Sequence, residues 1–403
     1  MITLDDIQRA AGIVYDVAVR TPVFGSRHLS ARSGADVHLK AENLQRTGSF
    51  KIRGAYNRIS ALSDDERARG VIAASAGNHA QGVALAARLL GVPATICMPA
   101  DASIAKVEAT RGYGAAVELG GETYHEAAEA ARELAARTGA TPVSAFDDEL
   151  VIAGQGTLGL ELYEQVPGLE IAVVPCGGGG LLSGVALALR ALRPEIRIVG
   201  VQAAGCAPMV TSVREGRITP VDRVETIADG ISVKRPGEIT FPIIRDTVDE
   251  LVTVGDEDIV KAITLLLERH KLLVEGAGAA AAAAVLSGRV ERLRGRSVAV
   301  VLSGGNIDLP LIQAVVRRGL TVSGRYLVLS TRIPDRPGAL LRLLQVLAEN
   351  RVNIVDIVHH REGLDVFVTD TEVELTVETR DAAHADEVIG LLAARGFATE
   401  RLR

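Results

Sequence analysis

One lysine of this chain lies in an unusual setting for a charged side chain. Lys51 stands in "SFKIRGA", directly between Phe50 and Ile52. Apolar neighbours desolvate an amine, and desolvation lowers its pKa and makes it a better nucleophile. A surface lysine beside a turn is the alternative. The apolar setting favours a lysine that condenses with a carbonyl group, so the chain should also contain a site for the molecule that carries that group.

A run of four glycines in "VVPCGGGGLLSG" lies between a predicted buried strand and a helix start. Glycines let main-chain N–H groups close around a small anion, and the helix N-terminus adds a favourable dipole. A dinucleotide site would need a glycine where Ser183 stands and an acid where Gln202 ends the next strand. A Walker loop would need Gly-Lys-Ser/Thr. A cofactor with a single phosphate fits better, and pyridoxal phosphate also requires a lysine. The glycines are Gly177, Gly178, Gly179 and Gly180.

Two more loops carry polar groups at the ends of predicted strands. In "SAGNHAQGVA" the main-chain N–H groups and polar side chains could grip a carboxylate, as a helix N-terminus does; ordinary helix capping is the alternative. The residues of this loop are Ser75, Ala76, Gly77, Asn78 and His79. In "VVLSGGN" Ser303 follows a strand, and a simple strand-end turn is the alternative there.

These four motifs, in this order over roughly residues 20 to 318, resemble the fold-type-II pyridoxal-phosphate enzymes, in particular the serine/threonine dehydratases. The resemblance implies pyridoxal 5'-phosphate bound to Lys51, with Phe50 against its ring, Asn78 at its phenolic oxygen and Ser303 at its pyridine nitrogen. It assigns the phosphate to the four glycines and Leu181, and the substrate carboxylate to the loop 75–79.

Ser303 bears on the type of reaction. A carboxylate at the pyridine nitrogen would keep that nitrogen protonated, whereas a hydroxyl only forms a hydrogen bond. The ring is then a weaker electron sink. A weaker sink suits a β-elimination, in which the electrons leave with the departing group, better than a transamination.

Three departures from related patterns narrow the prediction. Serine racemases resemble this chain but carry a serine as a second acid/base where Ala76 stands, so racemisation should be poor. They also bind a divalent metal through an acid where Gln202 stands, so we predict no divalent metal site. A monovalent ion held by carbonyl oxygens stays open as an alternative. "HEAAE" at 125–129 lacks the second histidine of a zinc motif and is interpreted as a solvated helix face.

Glu275 either caps the following helix or, as the resemblance suggests, lies near the active site.

The elements that must position these residues are alternating strands and helices. Short Val/Ile/Ala-rich strands separated by helices predict parallel sheets covered on both faces, with ligands beyond the carboxyl ends of the strands. We predict a catalytic domain over 1–321, similar to tryptophan synthase β, with a small subdomain of about 45–148 inserted between 1–44 and 149–321. "GAGAAAAAAVLSG" at 276–288 is interpreted as a small-residue helix packed close to a sheet.

The last part of the chain, 322–403, reads strand, helix, strand, strand, helix, strand, which is the ferredoxin-like order. Its third element is predicted at 352–361. The segment "DRPGALLRLLQVLAENRVNI" resembles an ACT domain, and the domain pair resembles the shorter, single-ACT threonine ammonia-lyases. We predict an amino-acid effector held by Asp335, Gly338 and Asn353; the resemblance implies isoleucine as inhibitor and valine as its opponent. A purely oligomeric domain is the alternative.

Composition sets the remaining limits. The 403 residues carry 44 Lys+Arg against 50 Asp+Glu, a net charge of -6, which gives no footprint for nucleic acid or an anionic membrane. No apolar run approaches the roughly 18 residues of a transmembrane helix. Cys97, Cys176 and Cys206 are too scattered for a disulfide framework, so we expect a cytoplasmic protein. We also expect a homo-oligomer, either a tetramer or a dimer.

The predicted activity is elimination from L-threonine to 2-oxobutyrate and ammonia, with L-serine giving pyruvate. One alternative is a serine dehydratase or a racemase-like enzyme. Another is an amino-acid sensor whose catalytic part is vestigial, against which the intact Lys51, glycine run and Ser303 argue.

Overall fold

The computed structural model describes residues 2–360 and 369–402. Its contacts divide the chain into two compact units, Met1–Asp308 and Leu309–Arg403. Within the described residues, no helix is both long and apolar enough to cross a membrane.

The first unit contains two parallel sheets. Its strands are β1 (Val23–Gly25), β2 (Asp36–Ala41), β3 (Val71–Ala74), β4 (Ala94–Met98), β5 (Ala116–Leu119), β6 (Thr141–Pro142), β7 (Ile171–Pro175), β8 (Arg197–Ala203), β9 (Glu250–Val254) and β10 (Ser297–Leu302). The larger sheet has the order β1-β2-β10-β7-β8-β9, and the smaller one β5-β4-β3-β6. All neighbouring strands pair in parallel except β1 with β2. The predicted α/β class with parallel sheets is therefore confirmed.

Helices cover these sheets. They are α1 (Leu4–Val14), α2 (Arg27–Ser33), α3 (Lys51–Ser60), α4 (Asp64–Arg69), α5 (Asn78–Leu90), α6 (Ile104–Gly112), α7 (Tyr124–Thr138), α8 (Glu149–Gln165), α9 (Gly180–Leu192), α10 (Pro208–Glu215), α11 (Thr240–Thr247), α12 (Asp256–Leu265) and α13 (Gly276–Leu286). The alanine-rich helix α13 is buried along its length and contacts β7, β8 and β10. Small side chains permit this close approach, as predicted.

The smaller sheet lies wholly within the predicted insert 45–148. The insert's first helix, α3, contacts both α5 beside the smaller sheet and α8 beside the larger one. Ile52 and Ile59 of α3 belong to the same buried apolar cluster as Val71 and Val83. The helix that begins at Lys51 therefore joins the two halves of the first unit.

The second unit is an antiparallel sheet with helices. Its elements are α14 (Leu309–Val322), β11 (Tyr326–Pro334), α15 (Ala339–Glu349), β12 (Ile354–His360), β13 (Asp370–Glu378), α16 (Ala382–Ala394) and β14 (Thr399–Arg401). The strand order β12-β13-β11-β14 and the sequence of elements after α14 are ferredoxin-like, as predicted. Arg361, the last residue of the predicted third element, lies outside the described residues.

The division between the units falls earlier in the chain than the predicted boundary at 321/322. The apolar helix α14 contacts β11 and groups with the second unit. The predicted linker "TVSGR" is the end of this helix: Gly324 has φ +69° and the N–H of Arg325 donates to the Leu320 carbonyl. This left-handed glycine cap ends the helix.

Candidate active site

Lys51 is the first residue of α3 and is partly buried. Its Nζ donates to the Ala145 carbonyl oxygen at 2.8 Å and lies 5.2 Å from the centroid of the Phe50 ring. Burial lowers the pKa of Lys51 from 10.5 to about 8. The amine is thus much closer to its neutral, nucleophilic form at physiological pH than a solvated lysine would be, which agrees with the desolvation expected from Phe50 and Ile52.

The segment before Lys51 pairs with the loop after β10. Ser49 forms an antiparallel bridge with Gly304, and the N–H of Phe50 donates to the Ser303 carbonyl at 3.2 Å. This pairing brings Ser303 and Lys51, which are far apart in sequence, to the same place. The Ser303 side chain is buried, and its hydroxyl forms no hydrogen bond with any residue that the structure describes.

Asn78 begins α5 and contacts two groups of the larger half. Its Nδ2 donates to Glu275 Oε1 at 2.6 Å, and its Oδ1 accepts from Asn306 Nδ2 at 2.7 Å. Glu275 precedes α13 but its side chain does not cap that helix. Of the two expectations for Glu275, the structure therefore supports the one beside Asn78. Burial, and next the charge of Asp229, raise the pKa of Glu275 to about 8, so this carboxyl is largely protonated at neutral pH.

The loop 75–79 offers free main-chain donors. Among the described residues, nothing accepts from the N–H groups of Ala76, Asn78, His79 and Ala80. Such a set at a helix N-terminus suits a carboxylate. The His79 ring takes no part in this set of donors, because its Nε2 donates to the Val143 carbonyl at 2.9 Å and burial lowers its pKa to about 3. The side chain of His79 is therefore neutral and holds a neighbouring strand end.

Neighbouring residues pack closely against the glycine loop, residues 177–180. A Cβ on Gly178 would lie 2.5 Å from the Phe146 ring, and one on Gly180 would lie 2.9 Å from the Phe146 Cα. Gly179 caps α9 with φ +104°, a conformation that favours glycine. The loop could not hold larger residues without moving its surroundings.

The donors of the glycine loop are unused. The N–H groups from Gly177 to Leu182 make no hydrogen bond to any part of the chain that the structure describes. Unpaired N–H groups at a buried helix N-terminus call for an acceptor, and the dipole there favours an anion. The predicted phosphate-binding residues Gly177, Gly178, Gly179, Gly180 and Leu181 are thus together and available.

A buried cluster of charged side chains includes Arg53, two residues after Lys51, and was not predicted from the sequence. Arg53 makes two hydrogen bonds to Glu42, at 2.8 and 2.9 Å, and one to Glu161 at 2.7 Å; Lys40 also pairs with Glu161. All four side chains are fully buried. Two positive and two negative charges balance, so the cluster ties β2, α3 and α8 together. Removing one partner would leave a buried charge unpaired, at a cost of about 3–5 kcal/mol.

Gly82 was also missed. A Cβ there would lie 3.1 Å from the Cβ of Lys51, so α5 approaches the lysine closely only because this residue has no side chain. The available signal was its spacing: Gly82 follows Asn78 by one helical turn and thus lies on the same face of α5.

Two of the departures noted in the sequence, Gln202 and the segment 125–129, have structural counterparts. The Gln202 side chain donates to the Gly177 carbonyl at 3.4 Å and accepts from the N–H of Val210 at 3.0 Å, so it braces the glycine loop. His125 and Glu129 pair with each other on an exposed face of α7. Within the described residues, no group of three or more His, Cys, Asp or Glu side chains is placed to hold a metal ion.

In the second unit, the predicted effector residues do not all come together. Asp335 and Gly338 lie in the turn between β11 and α15. Asn353 precedes β12, which runs parallel to β11, and therefore lies at the opposite end of the sheet, near Glu378, to which its Nδ2 donates at 3.0 Å. Asn353 is separated from Asp335 and Gly338 because α15 carries the chain back along the whole length of the sheet.

The residues of the first unit fit pyridoxal phosphate. The free N–H groups of the glycine loop suit its phosphate, the unpaired Ser303 hydroxyl suits its ring nitrogen, and the desolvated Lys51 amine suits its aldehyde.

The comparisons agree with this site. A family model described as pyridoxal-phosphate dependent enzyme matches residues 14–304, and an ACT domain model matches residues 327–396. Fold and site together define a pyridoxal-phosphate dependent enzyme of fold type II, as predicted. A curated L-threonine ammonia-lyase of Thermotoga maritima is 48% identical over 397 residues, 98% of each chain.

Two solved structures are also similar. The processed form of threonine deaminase isoform 2 from Solanum lycopersicum has a TM-score of 0.75 and 39% identity, and the match covers 78% of this chain and 92% of that one. Maize serine racemase has a TM-score of 0.75 and 37% identity, over 80% of this chain and 98% of that one. The chain belongs to the threonine ammonia-lyase family of pyridoxal-phosphate dependent enzymes, and carries a C-terminal ACT domain.

Proposed function

We propose that this enzyme converts L-threonine to 2-oxobutyrate and ammonia by eliminating the β-hydroxyl group. The observation that carries the proposal is the position of Lys51. Its Cβ lies close to Gly82 of α5, whose N-terminus offers free N–H groups. Its desolvated amine donates to the carbonyl of Ala145, next to Phe146, which packs on the glycine loop. The curated relative from Thermotoga maritima bears the name L-threonine ammonia-lyase.

Each side of the site has a role in this proposal. The N–H groups of Ala76, Asn78 and His79 bind the substrate carboxylate and orient Cα. The neutral amine of Lys51 removes the Cα proton as general base. Bound pyridoxal phosphate supplies an electron-withdrawing ring, and the Ser303 hydroxyl leaves that ring a moderate sink. Cα loses its proton, Cβ loses its hydroxyl as water, and the amino group is finally released by hydrolysis.

A panel of hydroxy amino acids tests the proposed substrate. We expect 2-oxobutyrate from L-threonine and slower formation of pyruvate from L-serine, because one methyl group discriminates only about 10–200-fold. A higher kcat/KM for L-serine than for L-threonine would make the protein a serine dehydratase instead.

Racemisation is the second candidate, because maize serine racemase is similar over 80% of this chain. Ala76 has no hydroxyl that could act as an acid on the second face of the substrate. We expect no D-serine above background when the enzyme turns over L-serine. D-serine formed at a rate comparable to that of pyruvate would establish the racemase.

Ser303 is proposed to contact the pyridine nitrogen. Ser303→Asp should slow elimination and allow transamination, because a carboxylate would keep the ring nitrogen protonated. Ser287→Asp, at an exposed helix end, is the control. Unchanged kinetics in Ser303→Asp would show that Ser303 does not contact the pyridine nitrogen.

The second unit is proposed to sense a branched-chain amino acid, with isoleucine as inhibitor and valine as its opponent. In one copy, Asp335 and N–H groups of the first turn of α15, after Gly338, would bind the effector. Asn353 lies at the other end of the sheet, so it can contribute only from a second copy, and a homo-oligomer is part of the proposal.

The full-length protein tests this regulation. Isoleucine should raise the threonine concentration needed for half-maximal rate, and valine should reverse the effect. Gly338→Val, in a left-handed turn with φ +84°, should weaken the isoleucine response and leave the rate without effector intact. If isoleucine and valine neither bind nor change the kinetics of the full-length protein, the proposed effectors are wrong.

A further inference from the structure

Asp147 occupies a junction that the active-site motifs do not include. It lies in "SAFDD" at 144–148, where the chain passes from the smaller sheet to α8. The residue before it, Phe146, packs on the glycine loop, and the carbonyl of Ala145 accepts from Lys51 Nζ at 2.8 Å. The hydroxyl of Ser144 accepts the N–H of Asp147 at 3.0 Å and fixes the turn.

The Asp147 carboxylate holds three consecutive main-chain donors. Oδ2 accepts from Glu238 at 2.9 Å, and Oδ1 accepts from Ile239 at 2.8 Å and from Thr240 at 3.3 Å. Hydrogen bonds from N–H groups to an ionised carboxylate are stronger than those between neutral groups. The start of α11 is thereby fixed to the segment that also contacts Lys51.

Thr240, whose N–H donates to Asp147, also contacts the glycine loop. Its side chain is fully buried, and its Oγ1 donates to the Gly178 carbonyl at 2.6 Å. The carbonyl of Gly178 and the N–H of Gly179 belong to the same trans peptide unit, in which the two groups point in opposite directions. Because Thr240 holds the carbonyl, the N–H of Gly179 must face the opposite side of its peptide unit. Within the described residues this N–H has no acceptor.

We propose that Asp147 and Thr240 are positioning residues that set the direction of the Gly179 N–H group for the cofactor phosphate. The inference rests on the proposed assignment of the phosphate to the glycine loop. Neither side chain touches the reacting atoms. They fix the orientation of this N–H group before the cofactor binds. The affinity for the cofactor is then higher, because the loop loses less conformational freedom on binding.

The test is the dissociation constant of pyridoxal phosphate, titrated into the cofactor-free full-length chain. Thr240→Val removes the hydroxyl at nearly constant volume and should weaken binding roughly tenfold to a hundredfold, since a buried carbonyl loses its partner. Thr240→Ser keeps the hydroxyl and should stay within about threefold of the unchanged protein. The phosphorus NMR shift of the bound cofactor should change in Thr240→Val and not in Thr240→Ser.

Asp147→Asn places an amide donor against main-chain N–H groups and should weaken cofactor binding in the same direction. The double variant should be less affected than the sum of the two single effects, because both act on one chain of contacts. Asp249→Asn is the matched control: its carboxylate also accepts a main-chain N–H, that of Ile198 at 2.7 Å, but away from the loop. Its cofactor affinity should not change.

The outcomes separate the inference from the assignment on which it rests. If Gly178→Ala weakens cofactor binding and Thr240→Val does not, the phosphate assignment stands and the positioning role is wrong. If neither variant weakens binding, the phosphate assignment is wrong as well. If Asp147→Asn fails to fold, the comparison of Thr240→Val with Thr240→Ser decides alone.

Discussion

The glycine loop and the asparagine loop, residues 75–79, share a position and differ in their packing. Both follow a parallel strand, both begin a helix, and both present unused N–H groups. A Cβ on Gly178 or Gly180 would lie within 2.9 Å of Phe146, whereas a Cβ on Gly77 would have no described atom within 4 Å. The crowded loop cannot change shape alone, which suits a group that stays bound. The open loop can adjust, which suits a substrate that enters and leaves.

The groups behind the two loops differ as well. The glycine loop is held by the neutral hydroxyl of Thr240 and the amide of Gln202. Asn78 in the other loop contacts Glu275, whose pKa is raised to about 8. The contacts behind the glycine loop should therefore be insensitive to pH in the neutral range, while the contact between Asn78 and Glu275 should respond to it.

The largest effect is expected at Lys51. Lys51→Ala should lower the rate of 2-oxobutyrate formation by roughly a thousandfold or more, because the residue is proposed both to bind the cofactor and to act as general base. The fold should persist, as judged by circular dichroism and thermal unfolding. Lys261→Ala, on an exposed face of α12, is the control. Near-normal threonine deamination by Lys51→Ala would refute the assignment of this lysine.

The second largest effect tests whether close packing around the glycine loop is needed for cofactor binding. Gly178→Ala should raise the dissociation constant of pyridoxal phosphate roughly tenfold to a hundredfold, because the new Cβ displaces the Phe146 ring and distorts the loop. Gly12→Ala, in α1 where a Cβ meets no described atom within 4 Å, should leave cofactor affinity unchanged. A Gly178→Ala protein with normal affinity would show that crowding does not define the cofactor side.

The pH dependence of stability tests the acid behind Asn78. The folded pKa of Glu275 is about 8 and its ordinary value is 4.5, so the folded protein binds this proton more tightly than the unfolded chain. The resulting stability is fully present below pH 4.5 and is lost as the pH rises through 8. Its slope reaches about 1.4 kcal/mol per pH unit.

Urea unfolding of the cofactor-free protein between pH 6.5 and 8 measures this slope. At lower pH the lowered pKa of His79 makes stability rise with pH and opposes it. Glu275→Gln should flatten it, and Glu257→Gln, on the first turn of α12, should not. Lys51 contributes in a different window, because its lowered pKa makes stability rise between about pH 8 and 10.5. Equal slopes in the unchanged protein and in Glu275→Gln would contradict the raised pKa.

The smallest effect is expected in the open loop. Gly77→Ala places a methyl group in free space at φ -143°, a backbone conformation outside the left-handed region. We expect cofactor affinity within about twofold and a KM for threonine raised a few-fold, since only the carboxylate contacts adjust. A loss of cofactor affinity as large as that of Gly178→Ala would erase the difference between the loops.

The sequence was informative where function depends on short, continuous segments. The glycine run and "LSGGN" follow neighbouring strands of the larger sheet, so their clustering followed from the rule that ligands lie beyond the carboxyl ends of parallel strands. "SAGNH" also lies at a strand end, but in the smaller sheet. The ferredoxin-like order of the second unit was predictable because its elements alternate clearly in periodicity.

What the sequence could not supply was contact between distant residues. Glu275 and Asn78, or Asp147 and the start of α11, meet only after the two sheets pack together. The cluster of Arg53 with Glu42 and Glu161 looked like ordinary charge distributed over three segments. Helix α14, which packs against β11 and groups with the second unit, was not recognised in the sequence as a separate helix.

The most direct test of the division of labour between the loops is a crystal structure of the enzyme with pyridoxal phosphate and L-2-aminobutyrate, which has no β-hydroxyl to eliminate. The account predicts the phosphate within hydrogen-bond distance of the N–H groups of Gly178 to Leu181, and the carboxylate of the analogue at the N–H groups of Ala76 to His79. A phosphate bound at the asparagine loop, or a carboxylate bound at the glycine loop, would contradict it.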